Sequence, residues 1–262
     1  PAGNPSPVEP IVGSTNDMPA RHVALVTGSA TGIGRAAAWR FAELGYDVTV
    51  NFSKSSAEAD ETADGVRDRG ARVLVYQANV GDNSAVRSMV EATVATFGRL
   101  DALVNNAATT HFVAHSDLDG LTEEVWDDIL QVNLKGTFYA CRAAATPLKS
   151  SRGSIVNVAS VAGISGGGSS IAYAASKGAV ITLTKSLSRS LAPEVRVNAV
   201  APGPVQTRWL ADHQDMVEAA MQATPLKRPA TPDDIASAII YLAHHAPLVT
   251  GQVLVVDGGR TI

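Results

Sequence analysis

From His22 onward the chain alternates short apolar runs with longer stretches in which apolar residues recur every three or four positions. The runs are Val23–Val26, Val48–Val50, Val73–Val75, Leu103–Val104, Ile155–Val158, Val195–Val200 and Val253–Val256. Each is mostly unbroken by charge, as in strands buried on both faces of a parallel sheet. Between the runs, the spacing predicts helices over 32–44, 55–69, 82–97, 122–146, 171–191 and 231–244. Their ends carry helix signals: Gly45, Gly70 and Gly98 as stops, Asp82 and Thr122 as N-caps, and Thr231 followed by Pro232. Repeated strand–helix alternation predicts an α/β fold. The expectation is one doubly wound, Rossmann-like domain over residues 21–262, with a seven-stranded parallel sheet and helices on both faces.

Residues 1–20 break this pattern. Pro1, Pro5, Pro7 and Pro10 lie among small polar residues with no apolar period, which predicts a flexible N-terminal arm. The arm lacks the basic start and long apolar run of a secretory signal.

Composition narrows the function classes. Hydrophobic residues are 45% of the 262 and charged residues 18%, enough apolar material for one sizeable core. A net charge of −4 gives no reason to expect a nucleic-acid partner. No apolar stretch is long enough to predict a membrane span. Cys141, the only cysteine, fits core packing and a reducing, cytoplasmic location. His111 and His115 have no nearby cysteine and no obvious third ligand, so no metal site is expected.

The first strand runs into Thr27-Gly28-Ser29-Ala30-Thr31-Gly32-Ile33-Gly34, and a helix follows. Gly28 suits a tight turn, Gly32 a close approach of backbone to a pyrophosphate, and Gly34 close helix–strand packing. The helix N-terminus then offers free N–H groups to an anion. The second strand ends Asn51-Phe52-Ser53-Lys54. No carboxylate stands there to grip ribose hydroxyls. Ser53 and Lys54 suit a 2′-phosphate, although both are also ordinary residues of a solvated turn. The expected cofactor is therefore NADP(H), with NAD second.

Ser160 closes the fifth run, at the strand edge where open α/β sheets bind ligands. Thirteen residues later comes Tyr173-Ala174-Ala175-Ser176-Lys177, which places Tyr173 and Lys177 on one helix face. A tyrosine is too weak an acid/base near neutrality, and a neighbouring ammonium is expected to lower its pKa. Three further segments fit a cofactor cleft. Asn105-Asn106-Ala107-Ala108 ends the fourth strand, Asn133 is a polar residue in an apolar stretch, and Pro202-Gly203-Pro204-Val205-Gln206-Thr207 follows the sixth strand. Asn133 suits either a core hydrogen bond or a water held near Lys177. The Pro-Gly-Pro segment suits either a sharp turn or a wall beside a nicotinamide.

Together these motifs resemble the short-chain dehydrogenase/reductase family over roughly residues 20–260, and within it the 3-oxoacyl thioester reductase-like group. The resemblance rests on Gly28, Gly32 and Gly34, Asn105-Asn106-Ala107, Asn133, Ser160, Tyr173, Lys177, Pro202-Gly203 and Asp257-Gly258-Gly259. It implies a Ser160–Tyr173–Lys177–Asn133 tetrad, with Asn133 completing a water-mediated proton relay. It also implies a homotetramer or dimer. Ala108 stands where the family usually has Gly, and Asn79, before Val80, where it more often has Asp against the adenine. Thr31 stands where many NADP-using members carry a basic residue. Residues 108–115, Val161–Gly168 and Thr207–Met221 would frame the substrate, with Trp209 and Met216 suited either to an apolar wall or to core packing. The expected reaction moves a hydride between NADP(H) and a ketone or secondary alcohol, with Tyr173 as general acid/base. The alternatives are an NAD-dependent sugar or polyol dehydrogenase and a catalytically silent NADP(H)-binding sensor. The sensor is disfavoured because the Tyr/Lys pair and the serine are all present.

Overall fold

A computed structural model of the chain describes residues 21–207, 218, 222 and 224–262. The expected arm, and Trp209 and Met216, lie outside the described residues.

Seven parallel strands form one sheet in the order β3-β2-β1-β4-β5-β6-β7. They are β1 (Val23–Val26), β2 (Asp47–Phe52), β3 (Val73–Gln77), β4 (Ala102–Asn105), β5 (Ser154–Val158), β6 (Arg196–Pro202) and β7 (Val253–Val256). The apolar runs are unbroken because successive side chains enter different cores. In β1, Ala24 and Val26 join the core under α1 (Gly32–Glu43) and α2 (Ser56–Asp68). Val23 and Leu25 join the core under α3 (Asn83–Phe97) and α5 (Thr137–Ser151). In β5, Val156 and Ile155 divide in the same way.

Local capping sets the helix ends. The Asp82 carboxylate accepts from the Ser84 and Ala85 N–H groups at the start of α3, and Gly98 ends that helix with φ 82°. Thr231 and Asp234 form a reciprocal capping box that opens α8 (Pro232–Ile240). At the sheet's N-terminal edge, Asp101 accepts from the Val23 N–H at 2.8 Å and pairs with Arg99.

One predicted helix is not continuous. The stretch expected over 122–146 is α4 (Glu123–Leu130), a π-helical turn over Gln131–Gly136, and α5, which runs on to Ser151. The turn brings Gly136 against β3's exit: a Cβ there would lie 2.9 Å from the Val80 carbonyl oxygen. Pro147 lacks an N–H but does not end the helix; Arg152, at φ 53°, does. Likewise, the stretch expected over 231–244 closes on a π-helical turn at Tyr241–His245. Between β5 and α7 (Ile171–Leu191) lies a short helix that the pattern did not predict, α6 (Ala162–Ser165). Among the described residues no helix is long and apolar enough to cross a membrane.

The chain reverses direction across the sheet between β1 and β4. In doubly wound sheets the crevice beyond the strands' C-terminal ends at such a point is the natural ligand site.

Candidate active site

A cleft of about 1410 Å³ opens at that crevice. Its floor is the turn from β1 into α1. Gly28 has φ 61°, and a Cβ there would sit 2.8 Å from Ala107 Cα, so the turn lies directly on the end of β4. A Cβ on Gly34 would fall 2.6 Å from both the Gly28 carbonyl oxygen and Asn106 Nδ2. Asn106 Nδ2 donates to the Thr27 and Gly28 carbonyls at 3.0 and 2.9 Å, and Thr27 Oγ1 accepts from the Asn106 and Ala107 N–H groups. The turn and the end of β4 are thus one braced unit.

Helix α1 begins in this unit at Thr31, which is extended and makes no side-chain cap. Its first turn carries no acidic residue, and Thr31, Gly32 and Ile33 face the cleft. Uncapped N–H groups with a positive helix end behind them fit the pyrophosphate of a dinucleotide. Thr207 closes over the same turn: its Cγ2 lies 3.3 Å from where a Gly32 Cβ would be.

Ser53 and Lys54 line the cleft at the end of β2, and Asn79 and Val80 line it at the exit of β3. Among the described lining residues the one carboxylate is Asp128, carried by α4 rather than β2. Ala107 and Ala108 line the cleft after β4, and Pro202, Gly203 and Val205 line it after β6.

The reacting groups lie at the centre. Ser160 follows β5 just before α6, its Oγ accepting from the Ala162 N–H at 3.1 Å. Tyr173 stands in the first turn of α7, whose N-cap Ser170 accepts from the Tyr173 N–H. Its phenol hydrogen-bonds the Ser160 side chain. Lys177 Nζ is 5.7 Å from the Tyr173 ring centre and donates to the Val158 carbonyl at 2.8 Å.

The electrostatics differ from the sequence expectation in one respect. The ammonium was expected to draw the phenol below its ordinary value. Instead burial pushes Tyr173 up to about 12, and the Ser160 hydrogen bond opposes this only in part. Burial also pulls Lys177 down to about 8. Removing water penalises both charged forms, and burial is the larger cause at each residue.

Asn133 does not line the cleft. It is buried in the π-helical turn, where its Oδ1 accepts from the Thr109 N–H at 2.8 Å. Its Nδ2 donates to the Thr109 carbonyl and to Ser176 Oγ, each at 3.0 Å. Its side chain thus pins the loop after β4 to α7 one residue before Lys177. Gly34 also lies behind the cleft wall. The other residues predicted to be catalytic or cofactor-binding line the cleft, whereas of the segments expected to frame the substrate only part does: Thr110, His111 and Val113–His115, for example, do not.

Phe112 and Ile164, from two of the segments expected to frame the substrate, present apolar surface to the cleft. Arg260 and Thr261, which reach the cleft from the last turn of the chain, escaped the sequence reading. Asn51 is the main omission. It is 1% exposed; its Oδ1 accepts from the Gly28 N–H at 3.0 Å and its Nδ2 donates to the Ala78 carbonyl at 3.1 Å. A lone amide in an otherwise apolar strand was the available signal, because a buried amide must find partners. His111, considered as a ligand, pairs with Asp128 at 2.9 Å.

Comparison with known proteins bears on this geometry. Residues 28–261 match a family model described as enoyl-(acyl carrier protein) reductase. The chain is 43% identical over 247 residues to "Granaticin polyketide synthase putative ketoacyl reductase 2" of Streptomyces violaceoruber, covering 93% of this chain and 97% of that protein. It is 40% identical over 243 residues to the 3-oxoacyl-[acyl-carrier-protein] reductase FabG of Staphylococcus aureus, covering 90% and 96%. A crystal structure of a putative short-chain dehydrogenase/reductase from Burkholderia xenovorans superposes with a TM-score of 0.87 at 40% identity, covering 92% of this chain and 98% of that one.

Proposed function

We propose, for a chain that belongs to the short-chain dehydrogenase/reductase family, that this oxidoreductase reduces a ketone to a secondary alcohol with NADPH and that Tyr173 is its general acid. The observation that carries the reading is the Tyr173 phenol, hydrogen-bonded to Ser160 and beside Lys177, facing the cleft at the strand edge.

A bound nicotinamide nucleotide supplies the hydride. The chain's own residues handle the oxygen. The Ser160 hydroxyl donates to the substrate carbonyl oxygen and holds it beside the phenol. Tyr173, with its pKa near 12, keeps its proton through the neutral range and delivers it as the oxygen gains charge. Lys177 is an ammonium below about pH 8 and stabilises the phenolate left behind. Asn133 acts by position: it holds the Thr109 loop against α7, and one lone pair of its Oδ1 remains for a relay water.

NADP(H) is favoured over NAD(H) because Ser53 and Lys54, with no carboxylate, occupy the β2 end of the cleft. The FabG relative's name supports a 3-oxoacyl thioester as one substrate to try. Residues 21–262 act as one catalytic unit in this reading. A homotetramer or dimer is supported by β7, an edge strand that leaves Leu254 and Val255 partly exposed. The buried Cys141 thiol accords with a cytoplasmic location.

The test is NADPH oxidation by the purified protein against a panel of ketones and a 3-oxoacyl thioester, with Tyr173→Phe alongside. Turnover that disappears in Tyr173→Phe, while NADPH still binds, is expected. Undiminished turnover in that variant would refute the assignment.

A further inference from the structure

Among the described residues three cations line the cleft: Lys54, Lys177 and Arg260. The first two have roles in the reading above. Arg260 has none. Among the described residues its guanidinium has no hydrogen-bond or ion-pair partner.

The turn that carries it is firmly held. The Asp257 carboxylate accepts from the Gly259 and Thr261 N–H groups at 2.8 and 2.9 Å, and from Thr261 Oγ1 at 2.7 Å. Gly258 and Gly259 take φ 68° and 87°, which bend the chain back after β7. The turn is also fastened to the reacting half of the cleft. Gly203 N–H donates to the Val256 carbonyl at 3.0 Å, and a Cβ on Gly203 would lie 2.9 Å from Asp257 Cβ. Val161, next to Ser160, donates its N–H to the Pro202 carbonyl at 3.0 Å. The backbone from the serine to Arg260 is therefore continuous through two strand ends. Lys54 lies across the sheet on β2's exit, so Arg260 belongs to the substrate side and not to the adenosine side.

The same side presents apolar surface. Phe112 and Ile164 line the cleft while remaining 42% and 51% exposed. An exposed guanidinium with no partner among the described residues, lining the same cleft as these two apolar side chains, suits a molecule with an apolar body and an anionic group. Arginine is the side chain best shaped for carboxylate and phosphate oxygens.

We propose that Arg260 recognises substrate: it binds a carboxylate or phosphate that the ketone carries away from its reacting carbon, which makes acidic ketones with an apolar body the preferred substrates. This rests on the reductase reading above.

The experiment compares matched pairs under NADPH: an oxo-carboxylate with its methyl ester, and a 3-oxoacyl pantetheine thioester with and without its terminal phosphate. Wild type, Arg260→Ala and Arg260→Lys are assayed. Arg260→Ala is expected to raise KM about tenfold for the charged member of at least one pair, equivalent to about 1.4 kcal/mol. Its kcat should stay within about twofold, and the neutral member should be unaffected, as for removal of a uniform binding contact. Arg260→Lys should recover part of the loss. The pair that responds identifies carboxylate or phosphate. Equal KM changes for charged and neutral members, or none, overturn the proposal. So does a matching loss of NADPH affinity, which would assign the guanidinium to the cofactor. Calorimetric titration of the NADP+ complex with the corresponding hydroxy acid and its ester reads the same preference without turnover. An Arg260-dependent preference for the acid there upholds the proposal even if no ketone is reduced, and its absence overturns it.

Discussion

Lys177→Met should stabilise the protein at neutral pH while abolishing its activity, and the stabilisation should reverse as pH rises. Lys177 is 3% exposed, and burial draws its pKa from 10.5 to about 8. At about 1.4 kcal/mol per tenfold change in proton affinity, carrying the charged form in the fold costs about 3 kcal/mol at pH 7. The sign follows from proton binding. Between about pH 8 and 10.5 the unfolded lysine binds more protons than the folded one, so stability rises with pH across that window. Methionine removes the charge and keeps most of the volume. It also removes the donor to the buried Val158 carbonyl, which costs about 1–2 kcal/mol. The variant should therefore be about 1–2 kcal/mol more stable than wild type at pH 7. By pH 10 the difference should have moved by about 2–3 kcal/mol in favour of wild type and changed sign.

Urea denaturation of both proteins at pH 7, 8, 9 and 10, at one protein concentration, measures this directly. The difference between the two proteins is the quantity to use. Burial holds Cys141, Tyr46 and Tyr173 at about 12, well above their ordinary values of 9.0, 10.0 and 10.0. These raised groups add stability that is lost as pH climbs past 9 and 10. Both proteins share the losses from Cys141 and Tyr46, which cancel in the difference, and the loss from Tyr173, which Lys177 adjoins, begins only at the top of this pH range. A gap that stays constant from pH 7 to 10 would refute the reasoning, because it would mean Lys177 is not held in a charge-penalising site.

Gly34→Ala should abolish NADPH binding measured by fluorescence and lower Tm, because its Cβ would meet the Gly28 carbonyl oxygen and Asn106 Nδ2 at 2.6 Å. Asn51→Leu strands the Gly28 N–H and the Ala78 carbonyl; urea denaturation should show a loss of about 2–4 kcal/mol. Lys54→Glu should raise KM for NADPH about tenfold or more and leave KM for NADH nearly unchanged, since a carboxylate repels a 2′-phosphate but accepts ribose hydroxyls. In steady-state assays the reductive kcat/KM should fall above about pH 8 as Lys177 loses its proton, and the fall should be absent from NADPH binding alone.

What the sequence displayed and what it hid divide along the reach of the forces involved. Unbroken runs such as Val23–Val26 announced a doubly covered sheet because neighbouring residues in a strand enter opposite cores. Gly98 and Asp82 announced helix ends because capping is settled within a few residues. The π-helical turn at Gln131–Gly136 was hidden: one wider turn hardly disturbs an apolar period, and the contact it makes, of Gly136 with Val80, is to a distant segment. Asn51 was visible as a polar residue in a strand, but its partners on β1's turn and β3's exit were not.

The Tyr173–Lys177 pair is the sharpest case. Spacing alone put the two side chains together and so suggested that attraction governs them. Their shared burial, which spacing does not report, drives each toward its neutral form instead. At pH 7 the result is a protonated phenol next to an ammonium that loses its charge only near pH 8. That state is ready to give a proton and poorly suited to take one. The protonation state of the pair at neutral pH is thus set by burial around α7, not by the identity of the two residues.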